Sequence, residues 1–192
     1  YFLLKRDAVK FMYDNNITYD TGLFGTWTDK QVPNTYSHYA DPVMETLLMK
    51  VLPKMKQETG LELIPTYSYA RIYKHGDILK RHKDRPSCEI STTIHLGGDM
   101  WPIFIDGTGQ DTVIDEYKNI HKPNAPKGTE VLLDVGDMLV YSGCELEHWR
   151  EPLEGNTCAQ VFLHYNHVNG PFAEKNRFDK RPMLGIPPIR NI

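Results

Sequence analysis

His82 and Asp84 lie two residues apart in the segment YKHGDILKRHKD. Residues i and i+2 of a β-strand point to the same face, so the imidazole and the carboxylate could bind one metal ion together. Two histidines and one carboxylate form a facial triad that holds iron(II) and leaves coordination positions open. The alternative is a solvated pair in a charged stretch, so the prediction depends on a third ligand.

The third ligand is predicted to be His148, in the segment YSGCELEHWREPLEG. It follows EVLLDVGDMLVYSG, which predicts a hairpin of two apolar strands around a Val-Gly-Asp turn. The chain between Asp84 and His148 is long enough for about four or five strands, which would bring opposite sides of a barrel together.

The sequence before the His-x-Asp pair is similar to that of the iron(II)- and 2-oxoglutarate-dependent dioxygenases, in their prolyl-4-hydroxylase-like branch. That branch has Tyr, Gly and an aromatic or aliphatic residue at fixed positions before the histidine, and Tyr73, Gly76 and Leu79 match them. The family's distal segment, a Gly-Asp hairpin followed by His, Pro and Gly, is similar to the segment around His148. The resemblance covers residues 61–167.

The resemblance implies a double-stranded β-helix with iron bound by His82, Asp84 and His148. Three protein ligands leave room for 2-oxoglutarate and O₂. It further implies hydroxylation of a C–H bond, with a prolyl side chain among the candidates, and release of succinate and CO₂. Ascorbate is allowed as a reductant, and the substrate is expected to be a small molecule, a peptide or a protein.

The chain departs from the family at the cation that binds the far carboxylate of 2-oxoglutarate. The branch usually has Arg or Lys nine or ten residues past the distal histidine, where this chain has Thr157 and Cys158. Arg150 is the predicted replacement, because strand spacing would turn it toward the metal and a guanidinium binds a carboxylate bidentately. The alternative for Arg150 is a surface salt bridge with Glu147 or Glu151.

Three more side chains are candidates for the cosubstrate site: the phenol of Tyr73, the ring of His95 and the hydroxyl of Thr157. For Tyr73 and His95 the alternative is packing in the core. Arg85 is a candidate for the substrate entrance or for holding a carboxylate near the metal. Trp101 is interpreted as an aromatic residue of the core or rim.

Helices are predicted before the strands. Residues 2–14 have helix-like spacing, and Asp41 and Pro42 begin a helix that Gly60 ends. Pro53 is predicted to kink or split this helix. Residues 15–40 predict a long loop with a short strand, and its Tyr36, His38 and Tyr39 are candidates for a lid over the site.

From residue 61 onward, short β-branched and aromatic runs predict a sandwich or barrel of strands buttressed by helices. With the resemblance, the predicted fold class is mainly β with flanking helices (α+β), with a jelly-roll, cupin-like core. One domain is predicted over 1–192, with a buttress at 1–60, the core at 61–167 and an irregular tail at 168–192.

Composition argues against several classes of function, although it does not exclude nucleic-acid binding. A net charge of −3 provides no basic surface for nucleic acid or an anionic membrane. No apolar run approaches the roughly 20 residues of a membrane span. Three cysteines without a CxxC pair favour a reducing compartment, so a soluble, cytoplasmic protein is expected. The chain does not begin with Met, which leaves a truncated start open, and the oligomeric state is also open.

Two other functions remain open at this point. A cupin-like iron protein that acts without 2-oxoglutarate is the main alternative, because the usual basic residue after the distal histidine is missing. A degenerate binding module is a third class, against which the intact metal triad argues.

Overall fold

The computed structural model describes residues 1–187, so residues 188–192 of the predicted tail lie outside the described range. The helical segments within this range are α1 (Phe2–Asp14), α2 (Thr21–Phe24), α3 (Pro42–Thr59) and α4 (Ala173–Asn176), with 3₁₀ turns at Pro86–Cys88 and Arg177–Lys180. The strands are β1 (Tyr36–Tyr39), β2 (Leu63–Lys74), β3 (Leu79–His82), β4 (Ile90–Gly98), β5 (Ile103–Ile105), β6 (Val113–Asp115), β7 (Ile120–His121), β8 (Thr129–Val131), β9 (Met138–Tyr141), β10 (His148–Arg150) and β11 (Thr157–His167).

Two antiparallel sheets form the core. The larger has the order β1-β2-β11-β4-β9 and the smaller the order β3-β10-β5-β8, while β6 and β7 form a two-stranded ribbon. Tyr73 and Phe162 of the larger sheet pack with Leu79 of the smaller one, so the two sheets share an apolar interior. The predicted fold class, a mainly β jelly-roll core with flanking helices, is confirmed.

Alternation along the strands gives the larger sheet two different faces. Ile72, Ile94 and Val161 pack in one apolar cluster with Val9 of α1 and Leu48 of α3, so this face is covered by helices. The neighbouring residues face the interior between the sheets. These interior side chains are Tyr69, Arg71 and Tyr73 on β2, Ser91, Thr93 and His95 on β4, and Gln160, Phe162 and His164 on β11.

Helix α3 begins and ends where its sequence predicts. The Asp41 carboxylate accepts from the amides of Val43 and Met44, and Gly60 ends the helix with a left-handed φ of 68°. The predicted split at Pro53 is wrong, since α3 continues from Pro42 to Thr59. Buried residues before and after the proline hold both parts of the helix against the sheet.

The predicted hairpin before His148 is wrong. Strand β8 pairs with β5 in the smaller sheet, whereas β9 pairs with β4 in the larger one. The chain crosses between the sheets at Gly136, whose φ of 92° is one that glycine adopts readily. Two apolar strands around a tight turn look alike in sequence whether they pair with each other or with different neighbours.

The predicted lid residues Tyr36 and His38 belong instead to the edge strand β1, which pairs with β2. Both side chains are buried, so they cannot open over the site, and this part of the prediction is wrong. Tyr39 does line the central cavity. Asp29 and Gln31, in the irregular segment 28–35 before β1, line the same cavity.

Candidate active site

The strand pair β3–β10 brings His82 and His148 together. His148 lies directly opposite His82 in the antiparallel register, while Arg150 lies opposite Leu79. Between these two pairs β3 advances by three residues and β10 by two, as happens at a β-bulge. Because of this irregularity, Leu79 and His82 both contribute to the interior wall on which His148 lies.

The three predicted metal ligands form one compact group. Nε2 of His82 lies 3.5 Å from Oδ1 of Asp84, and Nε2 of His148 lies 3.6 Å from the same oxygen. One ligand atom from each residue falls within 4.8 Å of the others. Both histidines are buried, and Asp84 is partly buried. Such a spacing allows all three to bind one ion.

The other ring nitrogen of each histidine contacts a backbone carbonyl. Nδ1 of His82 donates to the oxygen of Lys80 at 2.7 Å, and Nδ1 of His148 donates to the oxygen of Leu146 at 3.0 Å. A carbonyl only accepts, so Nδ1 carries the proton and Nε2 of the neutral ring keeps a lone pair. Both rings are therefore held in the tautomer that a metal ligand needs.

The charge of Asp84 fits the same role. Burial alone would raise the pKa of this carboxyl, but His148 and His82 outweigh burial and hold the pKa well below its usual value. Asp84 is therefore ionised at neutral pH. One anionic oxygen and two imidazole nitrogens are the donor set of the iron(II) facial triad.

Buried ion pairs hold the backbone behind the two histidines. Arg81, next to His82, donates from Nε to Glu147 at 2.7 Å and also contacts Asp106. Glu147, next to His148, accepts from the amide of Val113 at 3.0 Å and from Thr112. The side chains of Arg81 and Glu147 point away from the space between the two sheets. This network therefore holds β3 and β10, the strands that carry His82 and His148, from their other side.

A cavity of about 320 Å³ opens in front of the metal group. Its wall includes Asp29, Gln31, Tyr69, Arg71, Tyr141 and His164. Asp84, Cys88 and His164 form a second close group. Its thiol is a poor ligand as it stands, because burial raises the pKa of Cys88 and the sulfur contacts the Tyr67 hydroxyl at 3.0 Å.

Arg150 lies inside the protein with most of its donors unused. It is 1% exposed, its Nη1 donates to the carbonyl of Trp101, and its guanidinium stacks over the Trp101 ring. Nε and Nη2 have no hydrogen-bond partner among residues 1–187. Burial lowers the pKa of Arg150. The alternative of a surface salt bridge with Glu147 or Glu151 is therefore wrong, and no carboxylate among residues 1–187 forms an ion pair with Arg150.

Tyr73 and His95 are also buried on the interior face, as the spacing predicts. Nδ1 of His95 donates to the carbonyl of Leu133 at 3.0 Å, and its Nε2 has no partner within the described chain. Thr157 differs, because its hydroxyl donates to the carbonyl of Tyr73 at 3.0 Å. The geometry therefore gives no support to Thr157 as a cosubstrate contact; Cys158 takes the interior position instead.

Arg85 and Trp101 are accounted for by their contacts. Arg85 lines the cavity and forms a bidentate ion pair with Asp179 of the tail. Trp101 is buried and donates from its indole to the carbonyl of Glu151 at 2.8 Å. Trp101 is therefore a residue of the core, whereas the two candidate roles of Arg85, at the substrate entrance or with a carboxylate near the metal, stay predictions.

Arg71 is a residue of the cavity wall that the sequence did not predict. It is buried in the cavity wall, where it contacts Tyr69 and Tyr73 of its own strand and Asp29 and Gln31 of the segment before β1. The alternation in YSYARIY, with an arginine between tyrosines at i±2, is a signal that could have found it. The loop partners leave no such signal.

Comparison of the sequence with family models and with curated proteins gives no match. Solved structures do match. AviO1 from Streptomyces viridochromogenes Tue57 is 12% identical, with a TM-score of 0.58 over 88% of this chain and 84% of that one. HygX from Streptomyces hygroscopicus, solved with nickel, 2-oxoglutarate and hygromycin B, is 12% identical, with a TM-score of 0.57 over 88% and 80%.

A third match is SnoK, a non-haem alpha-ketoglutarate-dependent carbocyclase from nogalamycin biosynthesis. It is 12% identical, with a TM-score of 0.56 over 98% of this chain and 84% of that one. At these identities the likeness concerns the fold, and the chain has the same fold as these three proteins.

Within residues 1–187, no helix combines the length and apolar character that crossing a membrane requires.

Proposed function

We propose that the protein is an iron(II)- and 2-oxoglutarate-dependent oxygenase that hydroxylates a C–H bond. The observation that carries this proposal is the group formed by His82, Asp84 and His148, whose donor atoms and tautomers suit iron(II). Support also comes from HygX, which has been solved with iron and with nickel and 2-oxoglutarate.

In this proposal each ligand has a defined task. Nε2 of His82, Nε2 of His148 and Oδ1 of Asp84 would hold the iron, and three protein ligands would leave room for 2-oxoglutarate and O₂ to bind it. Iron and 2-oxoglutarate, when bound, supply the oxidising chemistry that places one oxygen atom in the substrate and the other in succinate, with loss of CO₂. The backbone carbonyls behind the histidines keep the rings oriented throughout.

Arg150 is proposed to bind the far carboxylate of 2-oxoglutarate. Its unused Nε and Nη2 form one edge of the guanidinium, which matches a carboxylate bidentately. The Tyr73 ring packs edge-on against the ring of Trp101, over which the Arg150 guanidinium stacks. Nε2 of His95 has no hydrogen-bond partner within residues 1–187, so His95 is proposed as a further contact of the cosubstrate.

The metal group does not by itself identify the substrate. Prolyl hydroxylation rests only on the resemblance of residues 61–167 to the prolyl-4-hydroxylase-like branch. The cavity volume is at the lower end of the range for small-molecule sites, which favours a small substrate.

Free thiols at Cys88, Cys144 and Cys158 support a reducing, intracellular compartment.

Anaerobic titration of the iron(II) protein with 2-oxoglutarate tests the proposal. We expect the weak visible charge-transfer absorption of a 2-oxo acid chelated to iron(II), and succinate on exposure to oxygen. His82→Ala and His148→Ala are expected to lose both signals. His75→Ala is the matched control, because this exposed histidine contacts only the backbone at Glu154 and Gly155. It should behave as the wild type.

Two results would contradict the proposal. If the protein bound iron(II) but neither signal appeared with 2-oxoglutarate, the cupin-like alternative would stand. If the histidine variants bound iron as tightly as His75→Ala does, the metal site would lie elsewhere.

A further inference from the structure

A second buried arginine, Arg71, lies in the cavity wall and holds a carboxylate of the protein itself. Its Nη2 donates to Oδ2 of Asp29 at 2.9 Å, and the Tyr69 hydroxyl donates to the same oxygen. The guanidinium also stacks over the Tyr69 ring, 5.1 Å from its centre. An arginine and a phenol that converge on one carboxylate oxygen form an anion-binding site.

Asp29 fills this site incompletely. It takes only Nη2 of the guanidinium, and Nε of Arg71 has no hydrogen-bond partner in the described part of the chain. The other oxygen of Asp29 accepts from the amide of Gln31 at 2.7 Å, which ties the carboxylate to its own loop. A carboxylate that is free of the chain could take Nε and Nη2 together, as the fork of a guanidinium prefers. Asp29 is therefore a replaceable occupant.

The segment that carries Asp29 does not need to open for such an exchange. Val32 anchors it in the interior cluster with Tyr73 and Leu79, while Thr26 pairs with Ser37 before it. The Asp29 side chain itself is 19% exposed, so in the exchange that we infer below its carboxylate would turn toward solvent while the segment stays anchored.

The site lies a short distance from the metal group. Oε1 of Gln31 accepts from both terminal nitrogens of Arg71 at 3.2 Å, and Nε2 of the same amide lies 3.4 Å from Nε2 of His82. One amide group thus spans the gap between the guanidinium and the metal ligand. A molecule bound to Arg71 through a carboxylate would place atoms only a few bonds away beside the metal.

We propose that Arg71 and Tyr69 form the substrate's anion subsite, that Asp29 occupies it in the free protein, and that the substrate is a small carboxylic acid. The C–H bond that reacts would lie a few atoms from the carboxylate. This inference rests on the proposed oxygenase function, because the position of the metal defines which bond reacts.

The subsite is distinct from the one assigned to 2-oxoglutarate. Arg71 already has a carboxylate partner, whereas Arg150 has none within residues 1–187. The phenol of Tyr73 accepts from Nη1 of Arg71 at 3.3 Å, and the Tyr73 ring packs against the Trp101 ring over which Arg150 stacks. One arginine whose charge is balanced by a protein carboxylate and one whose charge is not would suit two different ligand carboxylates, one from the substrate and one from the cosubstrate.

Calorimetry of the protein loaded with nickel and 2-oxoglutarate tests the subsite without turnover. The probe is isovalerate, and its neutral amide, isovaleramide, controls for shape. Asp29→Asn removes the competing charge, so we expect isovalerate to bind at least about tenfold more tightly than to the wild type, with no change for the amide. Asp7→Asn is the matched control, since Asp7 is an exposed carboxylate on α1.

Arg71→Met in the Asp29→Asn background is expected to abolish the gain. The inference is overturned if folded Asp29→Asn binds isovalerate no better than Asp7→Asn does, or if the gain survives without Arg71. Loss of 2-oxoglutarate binding in Arg71→Met would also overturn it, because Arg71 would then be the cosubstrate anchor.

Failure of the proposed function has a different signature, namely no heat from 2-oxoglutarate in the nickel-loaded wild type. In that case the isovalerate comparison is repeated on metal-free protein carrying Arg150→Met, which removes the other cation. A gain that depends on Arg71 there would still support the subsite.

Discussion

Replacing Arg150 by Met should separate the stability of the protein from its affinity for 2-oxoglutarate. Methionine has similar length without charge, and the surroundings of Arg150 include Trp101, Tyr73 and Cys158, which form an apolar cluster. The substitution removes a buried cation that has two unused donors. The two effects are expected to have opposite signs.

The magnitudes follow from the contacts. Two buried donors without partners cost about 2–6 kcal/mol together, and loss of the Trp101 contacts takes back roughly 2–4 kcal/mol. The free energy of unfolding of the metal-free protein should therefore rise by about 1 kcal/mol, or about 2–4 °C in Tm for a chain of this size. Without its charged partner, 2-oxoglutarate should bind more weakly by about 2 kcal/mol or more, which is roughly 30-fold.

Denaturant unfolding of the metal-free protein and calorimetry of 2-oxoglutarate with the nickel protein measure the two quantities. Arg150→Lys keeps the charge but loses the fork, so its affinity should lie between those of the wild type and Arg150→Met. Arg6→Met on the surface of α1 controls for the change of side chain. A variant that is markedly less stable yet binds 2-oxoglutarate normally would refute the reasoning and make Arg150 a structural residue.

Two predictions concern ion pairs outside the metal group. The pKa of Glu147 is lowered to about 2, since its hydrogen bonds to Thr112, Val113 and Arg81 outweigh burial, which would raise it. A lowered folded-state pKa stabilises the protein above the unfolded value near 4.5, and the contribution of about 3 kcal/mol is lost as pH falls from there toward 2. Unfolding measured between pH 6 and about pH 3 should therefore depend less steeply on pH in Glu147→Gln, and an unchanged slope would contradict this. Asp179→Asn should release the tail from the cavity rim and lower the free energy of unfolding by about 1–2 kcal/mol; limited proteolysis should then cut the tail faster, and equal rates would argue against a clamp.

The local sequence pattern was sufficient to predict several parts of the protein. The i and i+2 spacing of His82 and Asp84 places both on one face of an extended chain, whatever lies beyond. Asp41 and Gly60 bound α3 through contacts within a few residues. The mainly β core also followed from short β-branched runs, because alternation is a property of the strand itself.

Pairing between distant strands required the tertiary structure. The segments before and after Gly136 join different sheets, and residues 36–39 form an edge strand, because the best partner of each strand lies far along the chain. The burial of Arg150 also depends on residues that lie far from it along the chain. Its neighbours in sequence include two glutamates that suggest a surface salt bridge, yet the opposite sheet encloses it.

The interior of the site shows most clearly which features the sequence predicts and which depend on the tertiary structure. The sequence by itself determined which residue types could bind iron and that the usual cation after the distal histidine is absent. Only the fold decided that Arg150 has no carboxylate partner within residues 1–187 and that Arg71 already holds Asp29. The physical reason is that charge compensation depends on distance in space, which sequence spacing does not measure once the chain has crossed between two sheets.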